Sequence, residues 1–477
     1  MTLMRKISTV LFCLLLVGFA KAQRNIEGTW AGKLTLPGGS LRLLVHLTYD
    51  GAKYTATLDS PDQGAKGIPF SEVNLTGDSL QLVLQAANAK FIGTLTGDST
   101  INGQWIQGMS LPLELKKMPK GQIAEEIKRP QTPKPPFYYE SNDIVYHNKD
   151  KSIQYGATVT KPKGAGPFPA LLLISGSGPQ NRDEELFGHK PFAVIADDLT
   201  KRGYLVLRVD DRGVGQTTGD FKSATSKEFA DDAVAGLHYL KSLPEVDKTK
   251  IGLLGHSEGG MIAEMIAAQR KDLDFVILLA APGEKVIDLM TNQNRAVLQS
   301  NGVNKETADA YVSLYKPLAL VLSSGGDETA LKIAARQIVA NWRKQTPKEM
   351  VLATTGIKDE QSEEAFLNEF YKAVSQPWFR YFLQYDPAAY VKKIGAKVLA
   401  LNGDKDIQVL AKSNLAGLKE ALQKSPSKTY ELKEMKGLNH LFQHCQKCTV
   451  GEYGQLEETI APEVLQTIGE WLKKNVE

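Results

Sequence analysis

"IGLLGHSEGG", Ile251 to Gly260, sets a serine between two glycines directly behind an apolar run. By itself G-x-S-x-G fits either an exposed nucleophile at a strand end or a serine in an ordinary Gly-rich turn. The flanks decide between them. "KIGLLGHS" reads as a strand and "GGMIAEMIAAQ" as a helix, and strand-turn-helix is the setting a nucleophile elbow requires. Glycines on both sides let the turn close tightly, whereas a helix-capping serine would not need them. Ser257 is the candidate nucleophile.

Unbroken apolar runs surround this stretch: "PALLLIS", "YLVLRVD", "FVILLAAP" and "KVLALNG". Amphipathic segments such as "PFAVIADDLTKRG" and "SKEFADDAVAGLHYLKSL" lie between most of them. Continuous apolar strands alternating with helices indicate a parallel sheet covered on both faces, an α/β fold. The rhythm breaks once, across about 284–396, where "TADAYVSLYKPLALVL", "ALKIAARQIVANWRK" and "EEAFLNEFYKAV" read as a helical insertion above the strand ends.

Earlier in the chain, 23–118 alternates apolar and polar residues in short runs ("LRLLVHLTY", "LQLVLQ", "KFIGTLTG") separated by turn residues, so a small all-β barrel or sandwich is expected there. A Pro-rich stretch, 119–139, reads as an extended linker, and the α/β domain runs from 140 to 477. At the start, Arg5 and Lys6 precede the apolar Val10 to Phe19 and an Ala20-Lys21-Ala22 site, the grammar of a cleaved signal peptide over 1–22. Export to a periplasmic or extracellular location, without stable membrane insertion after cleavage, is the expectation.

With 477 residues, 42% hydrophobic and 23% charged, the composition is that of a globular protein of more than one domain. The formal charge of +3 falls to 0 without Arg5, Lys6 and Lys21, and no basic block stands elsewhere, which argues against nucleic-acid binding. Cys445 and Cys448 suit a local disulfide or two free thiols. Zinc would need two further ligands, with only His440 and His444 at hand.

Strand ends at the carboxyl edge of the sheet carry the remaining chemistry. Of seven histidines only His440 and His444 follow Ser257, and the order Ser, acid, His makes one of them the base. His440, in the loop "GLNHLF" past a strand, is preferred. "VLALNGDKDIQV" offers two acids, and Asp406 is preferred to Asp404, which suits ordering the turn. The oxyanion donors are the backbone N–H groups of Glu258 and of Ser177 in "SGSGPQNRD", with Gly176 behind it. Trp378, Phe379, Tyr381 and Phe382 are candidates for lining a substrate pocket or for packing the insertion. "RVDDRGVGQTTGD" lacks the helix and lysine of a phosphate loop, so an internal Asp–Arg pair ordering a loop is expected.

With "SGSGPQNRD", "VDDRGVGQTTGD", "GHSEGG", "NGDKDIQV" and "GLNHLFQ" assembled, 140–477 resembles the α/β-hydrolase superfamily. Within it the chain is similar to exported bacterial serine esterases with a lipocalin-like N-terminal domain, a likeness that "GTW" at Gly28 to Trp30 also carries. The resemblance implies Ser257, Asp406 and His440 as the triad and the helical insertion as a cap. Ser175 departs from the histidine common at that place, and "HCQKC" lies outside the common pattern. The expected activity is that of a carboxylesterase on a small-molecule or glycan-linked ester, working through an acyl-enzyme without metal or organic cofactor. A peptidase of prolyl-oligopeptidase or serine-aminopeptidase type shares the machinery. A carbohydrate- or lipid-binding scaffold is disfavoured by the complete residue set.

Overall fold

A computed structural model describes residues 25–36, 39–107, 109–121 and 128–477; the expected signal segment lies outside them. The described residues fall into two compact units. One lies within Met1–Leu34, Leu43–Asp59 and Gly67–Gln122, the other within Thr35–Arg42, Ser60–Lys66 and Ile123–Glu477.

The first sheet has nine strands, ordered from Ala65–Pro69 at one edge, through Gly28–Leu36 paired with Met109–Lys117, to Glu72–Thr76 at the other. It is an antiparallel half-barrel whose strands alternate buried and exposed residues, as in Ala89–Leu95. Its two edges are consecutive in the chain. Between them the Phe70 N–H bonds to the Ala56 carbonyl and the Ser71 N–H to that of Val83. Trp30 is fully buried, with its indole N–H on the Ile26 carbonyl at 2.8 Å.

The second sheet has eight strands: β1 (Glu140–His147), β2 (Gln154–Lys161), β3 (Phe168–Ile174), β4 (Leu205–Val209), β5 (Val246–His256), β6 (Phe275–Leu279), β7 (Lys397–Gly403) and β8 (Tyr430–Met435). Their spatial order is β1-β2-β4-β3-β5-β6-β7-β8, antiparallel through β2 and parallel from β4 onward. This is the α/β-hydrolase arrangement that the unbroken apolar runs point to. Because strand side chains alternate, each central strand feeds two cores. Leu172, Ile174, Ile251 and Leu253 pack with α2 (Ser226–Ser242) and α3 (Glu258–Ala267). Leu171, Leu173 and Leu254 pack with α1 (Pro191–Lys201) and the C-terminal helix Pro462–Asn475 on the other face.

Between β6 and β7 stand seven helices. They are α4 (Val286–Ser300), α5 (Lys305–Ser323), α6 (Glu328–Gln345), α7 (Lys348–Thr355), α8 (Glu360–Val374), α9 (Pro377–Leu383) and α10 (Pro387–Val391). This cap has a core of its own, with Leu314, Leu318, Val339 and Trp342 among its members. No described helix is long and apolar enough to cross a membrane.

The Pro-rich stretch differs from expectation. Arg129 donates to the carbonyls of Phe187, Gly454 and Leu456, and Gln131 bonds the backbone of Thr459 and Ile460. Proline excludes regular ladders but leaves side chains free to anchor the chain, so 128–139 is packed onto the α/β unit rather than free.

Candidate active site

The turn between β5 and α3 is sterically over-determined. Ser257 sits at φ 55°, ψ −120°, a conformation that a β-carbon disfavours and that persists only where the surroundings enforce it. A β-carbon on Gly255 would lie 2.1 Å from the Gly259 carbonyl oxygen, and one on Gly259 would lie 2.0 Å from that of Ile174. The backbones of β3, β5 and α3 therefore meet at distances only glycine permits. Ser257 consequently projects at the sheet's carboxyl edge, beside the positive end of α3.

Ser257 and His440 both line a cleft of about 240 Å³, together with Ser177, Glu258, Pro282, Leu289, Met290 and the cap residues Trp378, Phe379 and Phe382. Behind His440, Asp406 is 5% exposed and its Oδ2 accepts from His440 Nδ1 at 2.7 Å. Its other bonds come from Asn402 Nδ2 at 3.2 Å and from the N–H groups of Gln408 and Val409 at 2.8 and 2.9 Å. Four donors satisfy both oxygens and leave the carboxylate no freedom to turn. Asp404 instead accepts the Gly437 N–H, tying the β7 loop to the β8 loop. His444 is largely exposed and bonds Glu458 and Glu463, away from the cleft. Cys445 and Cys448 are joined in a disulfide.

Two of the glutamates around the cleft are occupied. Glu184 Oε1 takes the Gly176 N–H at 2.6 Å, which removes Gly176 as an oxyanion donor and leaves Ser177. The same oxygen lies 3.0 Å from His256 Nδ1, and His256 Nε2 lies 3.0 Å from the His440 carbonyl. Both ring nitrogens face acceptors, an arrangement that favours the doubly protonated ring of His256. Burial pulls its pKa down, but the Glu184 carboxylate, aided by the His440 carbonyl, lifts it above the ordinary value. Glu258, 2% exposed, accepts from Ser226 Oγ at 2.6 Å and Trp378 Nε1 at 2.7 Å. Burial raises its pKa against the pull of these donors.

"VDDRG" orders the neighbouring loop with partners other than expected. Asp210, Asp211 and Arg212 do not pair among themselves; each takes its partner from another segment. Asp210 takes a two-pronged contact from Arg182, and Arg212 contacts Asp232 of α2. Asp211 accepts from Ser175 Oγ and the Gln180 N–H, so the β4 loop braces the loop after β3. Burial, aided by the nearby Glu184 and Glu258, pushes the Asp211 carboxyl up to about 7 despite those donors.

Trp378, Phe379 and Phe382 reach the cleft but Tyr381 does not. On α9 it faces the other side, packed against the sheet core, and burial beside Tyr390 raises its pKa to about 12. Glu184, His256, Ser226 and Asn402 escaped sequence reasoning. His256 had a signal, since it lies inside the elbow itself.

A family model described as X-Pro dipeptidyl-peptidase (S15 family) matches residues 152–446. The chain is 28% identical over 342 residues to esterase EstD of Thermotoga maritima, covering 70% of this chain and 71% of that protein. It is 34% identical over 122 residues to human dipeptidyl peptidase 8, spanning 24% of this chain and 13% of that one. A solved esterase of Pyrococcus furiosus, Pf2001, aligns at TM-score 0.42 and 15% identity over 71% of this chain and 92% of its own. The protein is a serine hydrolase of the α/β-hydrolase superfamily. More narrowly, the chain belongs to the X-Pro dipeptidyl-peptidase (S15) family.

Two outcomes are expected. Gly259→Ala forces backbone apart at the elbow and lowers unfolding free energy by about 3 kcal/mol or more, measured by urea denaturation. For Asp211 the folded chain keeps a proton that the unfolded chain loses near 3.8, so stability falls as pH rises from about 4 to about 7. Asp211→Asn flattens that slope in thermal melts across the range.

Proposed function

We propose that the protein is an exported carboxylesterase that works through Ser257, His440 and Asp406. Ser257 Oγ attacks the ester carbonyl while His440 Nε2 takes its proton and returns it to the leaving alcohol. Asp406 holds the imidazole tautomer and stabilises the imidazolium. The N–H groups of Ser177 and Glu258 receive the oxyanion, and as the first residue of α3 Glu258 has no intrahelical acceptor for its own N–H. Water then cleaves the acyl-enzyme by the same route.

The observation that carries the ester reading is the state of the carboxylates at the cleft. A dipeptidyl peptidase must hold its substrate's free α-ammonium, and a buried ammonium needs an anion. Glu184 and Glu258 are the acids among the described lining residues, and each has one oxygen already taken by two protein donors, the Gly176 N–H and His256 Nδ1 on Glu184 and Ser226 Oγ and Trp378 Nε1 on Glu258. The remaining walls are apolar or carry the amides of Gln180, Gln293 and Gln408, which suits a neutral acyl ester. The family match favours the peptidase as the second reading.

Ser257→Ala is expected to fold normally and lose p-nitrophenyl acetate hydrolysis by about 10⁴-fold or more. For the unaltered protein, kcat/KM on p-nitrophenyl esters is expected to exceed that on glycyl-prolyl-p-nitroanilide; the reverse order establishes the peptidase. Export is supported by the charged and apolar opening of the chain. Amino-terminal sequencing of protein from an expressing Gram-negative host is expected to begin near Gln23, and an intact Met1 refutes export.

A further inference from the structure

The Glu258 side chain does something its backbone does not. Its buried carboxyl accepts hydrogen bonds from two separate segments, Trp378 of cap helix α9 and Ser226 at the start of α2, while Ser177 of the loop after β3 lines the same cleft. Under the acyl-transfer reading, on which this inference rests, Ser177 and Glu258 also supply the two oxyanion N–H groups. The Glu258 carboxyl thus joins one of the two donor residues directly to the cap.

We propose that the Trp378–Glu258 hydrogen bond is a positioning contact through which the docked cap sets the geometry of the oxyanion site. Trp378 is suited to the task because its two sides do different things. The ring stacks on Phe382 at 5.2 Å and lines the cleft, where acyl groups bear on it. The indole N–H points the other way, into the carboxyl at 2.7 Å. At a fully buried acceptor no water replaces a lost donor, so a displaced Trp378 leaves Glu258 free to shift relative to Ser177 and Ser226. Oxyanion donors are sensitive to small displacements, because only the transition state carries the charge they stabilise. A substrate that seats the cap correctly is therefore turned over faster, not merely held more tightly.

Trp378→Phe keeps an aromatic wall and deletes the N–H. It is expected to lower kcat on p-nitrophenyl butyrate by on the order of tenfold, with KM changed less than about twofold. Affinity for phenylboronic acid, which takes up the tetrahedral anionic form on the serine, is expected to fall in proportion to kcat. Glu258→Leu removes the acceptor and is expected to lower kcat and boronate affinity as Trp378→Phe does. Unchanged kcat and boronate affinity in Trp378→Phe overturns the proposal, as does a rise in KM alone, which makes Trp378 only a wall. Absence of ester turnover and of fluorophosphonate labelling in the unaltered protein instead defeats the acyl-transfer reading itself.

Discussion

Everything at this site depends on how closely three backbones approach at the β5–α3 turn. Gly255 and Gly259 let carbonyl oxygens sit where a β-carbon would stand, and Ser257 takes a backbone conformation that such crowding must enforce. Strain of this kind is stable only in a rigid frame, and the frame is the parallel sheet with an apolar core on each face. A hydroxyl held this way needs no reorganisation before it reacts. The helix that begins one residue later directs its unpaired N–H groups toward the same spot.

Around that turn the polar groups form two brackets. On one side Glu184 and His256 connect Gly176 to the backbone of His440, so the loops after β3 and β8 are referenced to a single buried Glu–His pair. Such a pair adds little net stability, because desolvation offsets most of the attraction, but each half is costly to leave alone. Its value here is geometric. On the other side, Glu258 connects the start of α3 to α2 and the cap. Each of these glutamates thus commits one oxygen to holding the scaffold around the cleft.

Much of this was legible in the sequence where the signal is local. Glycine spacing marks the elbow, and unbroken apolar runs mark buried parallel strands. The placement of "NGDKDIQV" and "GLNHLF" after their strands brings Asp406 and His440 to the carboxyl edge, where they are 2.7 Å apart. What sequence could not convey were pairings between distant segments. Glu184 and His256 stand 72 positions apart, and Arg182 reaches Asp210 across a helix and a strand. The orientation of Tyr381 was equally hidden, because a short aromatic helix has no polar face from which to read its inner side. Prolines among 128–139 carry no sign of anchoring, which Arg129 and Gln131 supply through side chains.

The cap leaves the sheet after β6 and rejoins it at β7, and those two strands are hydrogen-bonded neighbours, with Phe275 opposite Lys397 and Leu279 opposite Leu401. The inserted helices thus begin and end side by side and carry an apolar interior of their own. Closing a loop costs only a logarithm of its length, so the sheet is nearly indifferent to how much chain is looped out there. Modularity follows: lineages sharing this sheet are free to exchange or resize the excursion without disturbing strand register, and a new lid needs only a group that can reach the buried acid beside the serine.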